Sequence, residues 1–155
     1  MNQETERKFL ISGDYKSHVS HSTRIVQGYL CSVPERSIRV RIAGDKGFLT
    51  VKGAGNASGT TRFEWEHPIP VADAEALLPL CETGSIDKIR HFVPFGGHTF
   101  EVDEFFGENE GLTMAEIELT DENEPFDRPE WLGEEVTGDK RYYNAYLCRK
   151  PYTKW

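Results

Sequence analysis

Glu4, Glu6 and Lys8 occupy every second position in the stretch ETERKF near the start of the chain. In an extended strand, residues i, i+2 and i+4 share one face, so two carboxylates and an ammonium would point the same way. The pattern returns along the chain. Ser37, Arg39 and Arg41 alternate with Ile38, Val40 and Ile42, and Thr50 and Lys52 with Leu49 and Val51. Arg62, Glu64 and Glu66 alternate with Phe63 and Trp65, and Lys88 and Arg90 stand two apart in DKIR. Glu101 and Asp103 oppose Phe100 and Val102, while Glu116 and Glu118 oppose Ala115, Ile117 and Leu119.

The basic members of this set suit a polyanion rich in oxygens, because Arg offers a bidentate fork for phosphate and Lys a compact charge. The acidic members would repel phosphate. Both can serve one substrate if a divalent cation lies between carboxylate and phosphate oxygens, an arrangement that Mg²⁺ and Mn²⁺ favour. The residue types therefore point to a metal-dependent site for a linear polyphosphate group.

Elements that would position these side chains follow from the same alternation. Strands are predicted over 5–11, 23–31, 37–44, 47–53, 61–69, 85–95, 98–106 and 113–120, separated by turn signals such as AGDKG and FGGH. A helix is predicted over 71–82, with Asp73 as N-cap and Pro79 as a kink or stop, and another over 138–150 with Pro151 just beyond it. The proline-punctuated 121–136 suits short helical turns.

An antiparallel sheet with one wet face accounts for the alternation. It does not account for whole strands of one sign, because like charges two apart on one face repel unless opposite charge sits between them. A closed barrel with the charged faces turned inward would supply that charge, and its apolar outer wall would then need cover from helices, loops or another subunit.

The 155 residues fit one domain, 1–155, with room for a core. A net charge of −8 argues against nucleic acid as a bulk electrostatic partner, so no DNA is expected. Cys31, Cys81 and Cys148 form no CxxC pair and the five His show no ligand spacing, which argues against a zinc site. The polar N-terminus and unpaired cysteines suggest a cytoplasmic protein with reduced thiols. No apolar run approaches the roughly 18 residues of a membrane span, so no membrane is expected as partner.

In order along the chain, ETERKF, QGYL (27–30), RVR (39–41), TVK (50–52), EWE (64–66), KIR (88–90), EVD (101–103), EIE (116–118) and VTGDKRY (136–142) resemble the CYTH proteins, or triphosphate tunnel metalloenzymes. The resemblance covers nearly the whole chain. It implies a mainly β, α+β fold: an eight-stranded antiparallel closed β-barrel forming a charged tunnel, with a few peripheral helices. It also implies action on triphosphates with Mg²⁺ or Mn²⁺. Carried onto this sequence, it makes Glu4, Glu6, Glu116 and Glu118 the metal ligands, with Asp103 as helper. Lys8, Arg39, Arg41, Lys52, Lys88 and Arg90 would grip the triphosphate, and Lys140 would add a contact from a C-terminal helix closing one mouth. The same resemblance implies Lys8, Tyr29, Glu4 and Glu118 as the catalytic set, Tyr29 through a hydrogen bond to Lys8 or substrate.

The expected reaction is hydrolysis of a phosphoanhydride bond in a triphosphate small molecule, with inorganic tripolyphosphate first because no aromatic platform for an organic group is evident. Trp65 would face the outer wall, between Glu64 and Glu66. A class IV adenylyl cyclase, a thiamine triphosphatase and a non-catalytic polyphosphate-binding module are the alternatives within reach of the same residues. A homodimer would offer cover for the outer wall.

Overall fold

A computed structural model describes residues 3–155. The strands are β1 (Gln3–Ile11), β2 (His21–Cys31), β3 (Arg36–Ala43), β4 (Lys46–Gly55) and β5 (Thr61–Ile69), then β6 (Ile86–Phe95), β7 (His98–Phe105), β8 (Thr113–Glu118) and β9 (Leu132–Glu135). Helix α1 (Val71–Leu77) joins β5 to β6, and α2 (Asn144–Arg149) lies near the C-terminus. Pairing runs β5-β4-β3-β2-β6-β7-β8-β1-β9, all antiparallel, and β5 also pairs with β1.

That last pairing closes eight strands into a barrel. One edge of β1 meets β8, from Glu6 opposite Glu118 to Leu10 opposite Met114. The other edge is shared. Gln3, Glu4 and Thr5 face β5, while Phe9 and Ile11 face the additional strand β9. The long first strand thus leaves neither edge open to further pairing. Arg7 pins β9 by a bidentate pair to Glu135, with donor distances of 2.8 and 2.6 Å.

The pleat sends the charged residues inward, and the apolar alternates form the outer wall. Phe9, Val93, Phe100, Val102, Ala115 and Ile117 are buried beneath Tyr15, Leu119 and Trp131. Helix α1 lies on the outer faces of β3 and β4, with Ala74 buried. Phe63 and Trp65 stay exposed on β5. A second apolar cluster fills one end of the bore itself. Tyr29, Ile86, Phe105 and Met114 share the inward faces of their strands, and Leu147 and Cys148 of α2 pack on them as a plug.

Strand limits fall within a few residues of those predicted, but both helices differ. The first ends at Leu77 and passes into a 3-10 turn at Leu78–Leu80, where Pro79 cannot continue the α-helix. Pro70 takes the N-cap position, and Asp73 lies inside the first turn. The second breaks in two. Asp139 accepts a hydrogen bond from the Arg141 amide at 3.1 Å and caps a 3-10 turn at Lys140–Tyr142, before α2 starts at Asn144. The 121–136 segment contributes β9, which the alternation did not predict.

The β4–β5 loop and the turn before Lys140 touch glycine to glycine. A Cβ on Gly59, whose φ is +75°, would stand 2.6 Å from the Gly138 Cα. Gly59→Ala is therefore expected to cost about 1–3 kcal/mol, from left-handed backbone strain and a backbone clash together. Urea unfolding checks this, and an unchanged midpoint would mean that loop and turn are not packed together in solution.

Candidate active site

The bore encloses a cavity of about 770 Å³. Eight basic and eight acidic side chains line it, so its formal charge balances. The strand register makes the matches. Lys8 stands directly opposite Glu116 across β1 and β8, and its Nζ donates to Glu116 Oε1 at 2.8 Å and to Glu6 Oε1 at 3.3 Å. Lys52 on β4 donates to Glu4 at 3.0 Å and lies 3.6 Å from Glu64, tying β4 to β1 across β5.

Arg39 and Arg41, two apart on β3, both reach Glu66 Oε2, at 3.5 and 3.3 Å. Thr50 donates to the same oxygen at 2.8 Å. One carboxylate therefore holds two guanidiniums together. The Nε atoms of both arginines are buried without a hydrogen-bond partner. Such donors normally find an acceptor, so two guanidinium N–H groups on this wall are available for one.

Burial sets the proton affinities. It raises the Glu6 carboxyl to about 7, helped by neighbouring Glu116 and opposed by Lys8. Glu4, Glu101 and Glu118 are raised chiefly by the same cause. Glu116 moves the other way, because Lys8 and Arg90 outweigh its burial. Burial works against the Lys8 ammonium, but Glu116 and Glu6 overcome it and raise its pKa, so Lys8 stays charged at neutral pH. Burial lowers Arg41 to about 10, and Arg39 and Arg90 add to the effect. The Tyr29 phenol is raised by burial and stays protonated.

Most residues singled out by spacing line this cavity. Glu4, Glu6, Lys8 and Tyr29 come from β1 and β2, Arg39, Arg41 and Lys52 from β3 and β4, and Arg90, Glu116 and Glu118 from β6 and β8. Lys140 joins them from the C-terminal segment. Lys88 and Asp103 do not line it. Both are buried behind Arg90, which donates to Asp103 from Nε at 2.8 Å and Nη2 at 2.9 Å, while Lys88 donates to Asp103 at 2.8 Å. With both carboxylate oxygens taken by two cations, Asp103 orients Arg90 and is not placed as a metal helper. Burial lowers the Lys88 ammonium to about 8, against the pull of Asp103.

Some functional candidates had no sequence signal. Tyr143 lies under Lys8 and Arg62, with ring centroid distances of 5.9 and 5.6 Å. Asn144 accepts from Lys88 at 3.1 Å, and Arg149 reaches the cavity from α2. All three lie on the C-terminal segment, where no period-two pattern marks an inward face. Thr50 sat in the alternation, but only its contact with Glu66 gives it a task.

Among the described residues, no three His, Cys, Asp or Glu side chains already form a cluster able to hold a metal. The donor set nonetheless suits a hard cation. Glu6 and Glu118 face each other across the β1–β8 ladder, Glu6 is within hydrogen-bonding reach of Glu116, and the crowding of these acids is relieved by protons and by Lys8. Carboxylate oxygens gathered on one wall are the donor type that hard divalent cations favour.

A closed antiparallel barrel with a charge-balanced bore places this protein among tunnel-type polyanion-handling folds. The sequence matches the CYTH domain over residues 2–143, and the chain belongs to the CYTH family. It is 49% identical to an inorganic triphosphatase of Acetivibrio thermocellus, covering 98% of this chain and 97% of that one. An inorganic triphosphatase of Nitrosomonas europaea is 38% identical, with 94% and 96% covered. The crystal structure of the inorganic triphosphatase NE1496 superposes with a TM-score of 0.68 at 35% identity, covering 94% of this chain and 93% of that one.

The Glu6 shift has a measurable consequence. Between pH 4.5 and about 7 the folded protein holds a proton on Glu6 that the unfolded chain has released. Metal-free protein should then lose stability as pH rises through that window, by about 3 kcal/mol. Glu6→Gln should flatten the dependence and raise the melting temperature at pH 7.5. Circular dichroism melts in EDTA check this; parallel pH profiles for the two proteins would contradict it.

Proposed function

We propose that the protein hydrolyses inorganic tripolyphosphate to pyrophosphate and phosphate inside the barrel, with Mg²⁺ or Mn²⁺. The observation that carries this reading is the lining of the bore, where Arg39 and Arg41 keep buried Nε donors unmatched beside a single carboxylate. The full-length likeness to two inorganic triphosphatases supports it. So does the state of Tyr143, whose ring is engaged by Lys8 and Arg62 and so is not a free platform for a base or thiazolium.

In this reading Lys8, Arg39, Arg41, Lys52 and Arg90 leave their carboxylates and grip phosphate oxygens from several walls, with Lys140 adding a contact from the C-terminal segment. Lys88 and Asp103 act from behind by holding Arg90 in line. Glu4, Glu6, Glu116 and Glu118 are the residues that would hold the cation. Bound there, a divalent ion would offset charge on the triphosphate and favour ionisation of water. Exchange of internal ion pairs for carboxylate–metal and cation–phosphate pairs keeps the bore near neutrality at each stage.

The chemistry asks mainly for positioning and charge neutralisation. Water attacks a terminal phosphorus, the bond to the bridging oxygen breaks, and pyrophosphate leaves. A proton of the water passes to a carboxylate; Glu4, Glu6, Glu101 and Glu118 all have raised proton affinity. Lys8, its charge secured by Glu116 and Glu6, steadies the leaving oxygens, and neutral Tyr29 donates a hydrogen bond.

Phosphate release from tripolyphosphate, ATP and thiamine triphosphate, with Mg²⁺ and then Mn²⁺, tests the reading. Fast release from tripolyphosphate and slow release from the others is expected; cyclic AMP formed from ATP, or silence on every substrate, would overturn it. Glu118→Gln should lower kcat by at least about 100-fold at limiting metal without changing the melt. Arg39→Ala should raise KM for tripolyphosphate about 10- to 100-fold, and unchanged kinetics would remove Arg39 from the phosphate-binding set.

A further inference from the structure

Gln27, in the QGYL stretch on β2, is a buried polar group that the phosphate-gripping set leaves without a task. It is fully buried, and neither its amide oxygen nor its amide nitrogen has a hydrogen-bond partner. A glutamine left in that condition is destabilising relative to an apolar residue of similar length, so its presence calls for a reason.

Its surroundings supply one. Tyr29 shares its face of β2 and lines the cavity, so Gln27 is turned toward the bore, beside its β6 partner Ile86. Its partner on β3 is Arg41. Residues directly opposite in an antiparallel pair project from the same face, with Cβ atoms about 4.5–5.5 Å apart. The Arg41 Nε is also buried and unmatched, while an Nη group reaches Glu66 at 3.3 Å. An unused acceptor, Gln27 Oε1, and an unused donor, Arg41 Nε–H, therefore belong to directly paired residues on adjacent strands.

We propose that Gln27 is a positioning residue for Arg41. When a phosphoryl group draws the guanidinium off Glu66, Gln27 Oε1 accepts the Nε–H and leaves both Nη groups as a fork on the phosphate oxygens. An amide suits this place better than either alternative. A carboxylate would neutralise Arg41 and compete with phosphate, and an alkyl chain would leave the Nε–H unmatched in the bound state. The inference rests on the phosphate-binding role given to Arg41 above.

The test is a kinetic cycle with tripolyphosphate, using Gln27→Met, which keeps length and removes the amide, Arg41→Ala and the double variant. Gln27→Leu is the second substitution should Met fold poorly. The expected result is a KM raised about tenfold, a kcat within about twofold, and a melting temperature equal to or above wild type. On the Arg41→Ala background the same change should alter KM by less than about twofold, because the two residues act as one unit. A KM effect that multiplies with that of Arg41→Ala, or a lowered melting temperature with unchanged KM, would overturn the proposal and make Gln27 a packing residue. Wild-type protein that leaves tripolyphosphate intact would overturn the triphosphatase reading and this inference together. An active wild type with an unaffected Gln27→Met overturns this inference alone.

Discussion

Charge matching inside a closed barrel is the constraint from which the rest of this structure follows. Arg39 and Arg41 point into the same bore from one strand, as Glu116 and Glu118 do from another. Unmatched charges there would be strongly destabilising, so opposite charges must come from neighbouring walls. The observed order does this: Glu116 of β8 meets Lys8 of β1, and Glu66 of β5 meets the arginines of β3 across Thr50 of β4. A register slip of one residue on any strand would turn its charges out to the apolar wall and its apolar residues into the bore. Closure through the β1–β5 pairing and the ion pairs of the lumen therefore support each other.

The bore is not uniform along its length. One end is sealed by Tyr29, Ile86, Phe105 and Met114 against Leu147 and Cys148, and the remainder is polar. The C-terminal segment has two roles as a result. Its apolar residues complete the plug, while Lys140, Tyr143, Asn144 and Arg149 of the same segment reach the cavity. Low water access around buried charges strengthens their ion pairs, and burial raises the affinity of Glu6 for its proton. The polar part of the bore is held together by internal ion pairs. It is less stable than an apolar core would be, a familiar compromise between stability and function.

Much of this was legible before any coordinates. Period-two alternation located eight strands to within a few residues and assigned inward and outward faces, because side-chain direction in a strand is a local property. Composition on those faces indicated the chemistry, because carboxylates, guanidiniums and ammoniums have distinct ligand preferences. The strand β9 was not legible: four residues in a proline-punctuated stretch carry too little pattern, and its place is fixed by the half-edge of β1 that β5 leaves open. The helix breaks at Leu78 and Lys140 depended on local turns and on packing against the barrel, which outweigh helical periodicity in short segments.

The sequence by itself determined which side chains of the strands turn inward and which chemistry they can support. Only the tertiary structure decided who partners whom. That Glu66 serves two arginines, that Asp103 sits behind Arg90 and does not line the cavity, and that Gln27 is paired with an arginine whose Nε has no partner all depend on strand order and closure. The physical reason is the range of the interactions. Alternation is set by bonds between successive residues, whereas ion pairing in a barrel is set by contacts between residues tens of positions apart, brought together only when the sheet closes.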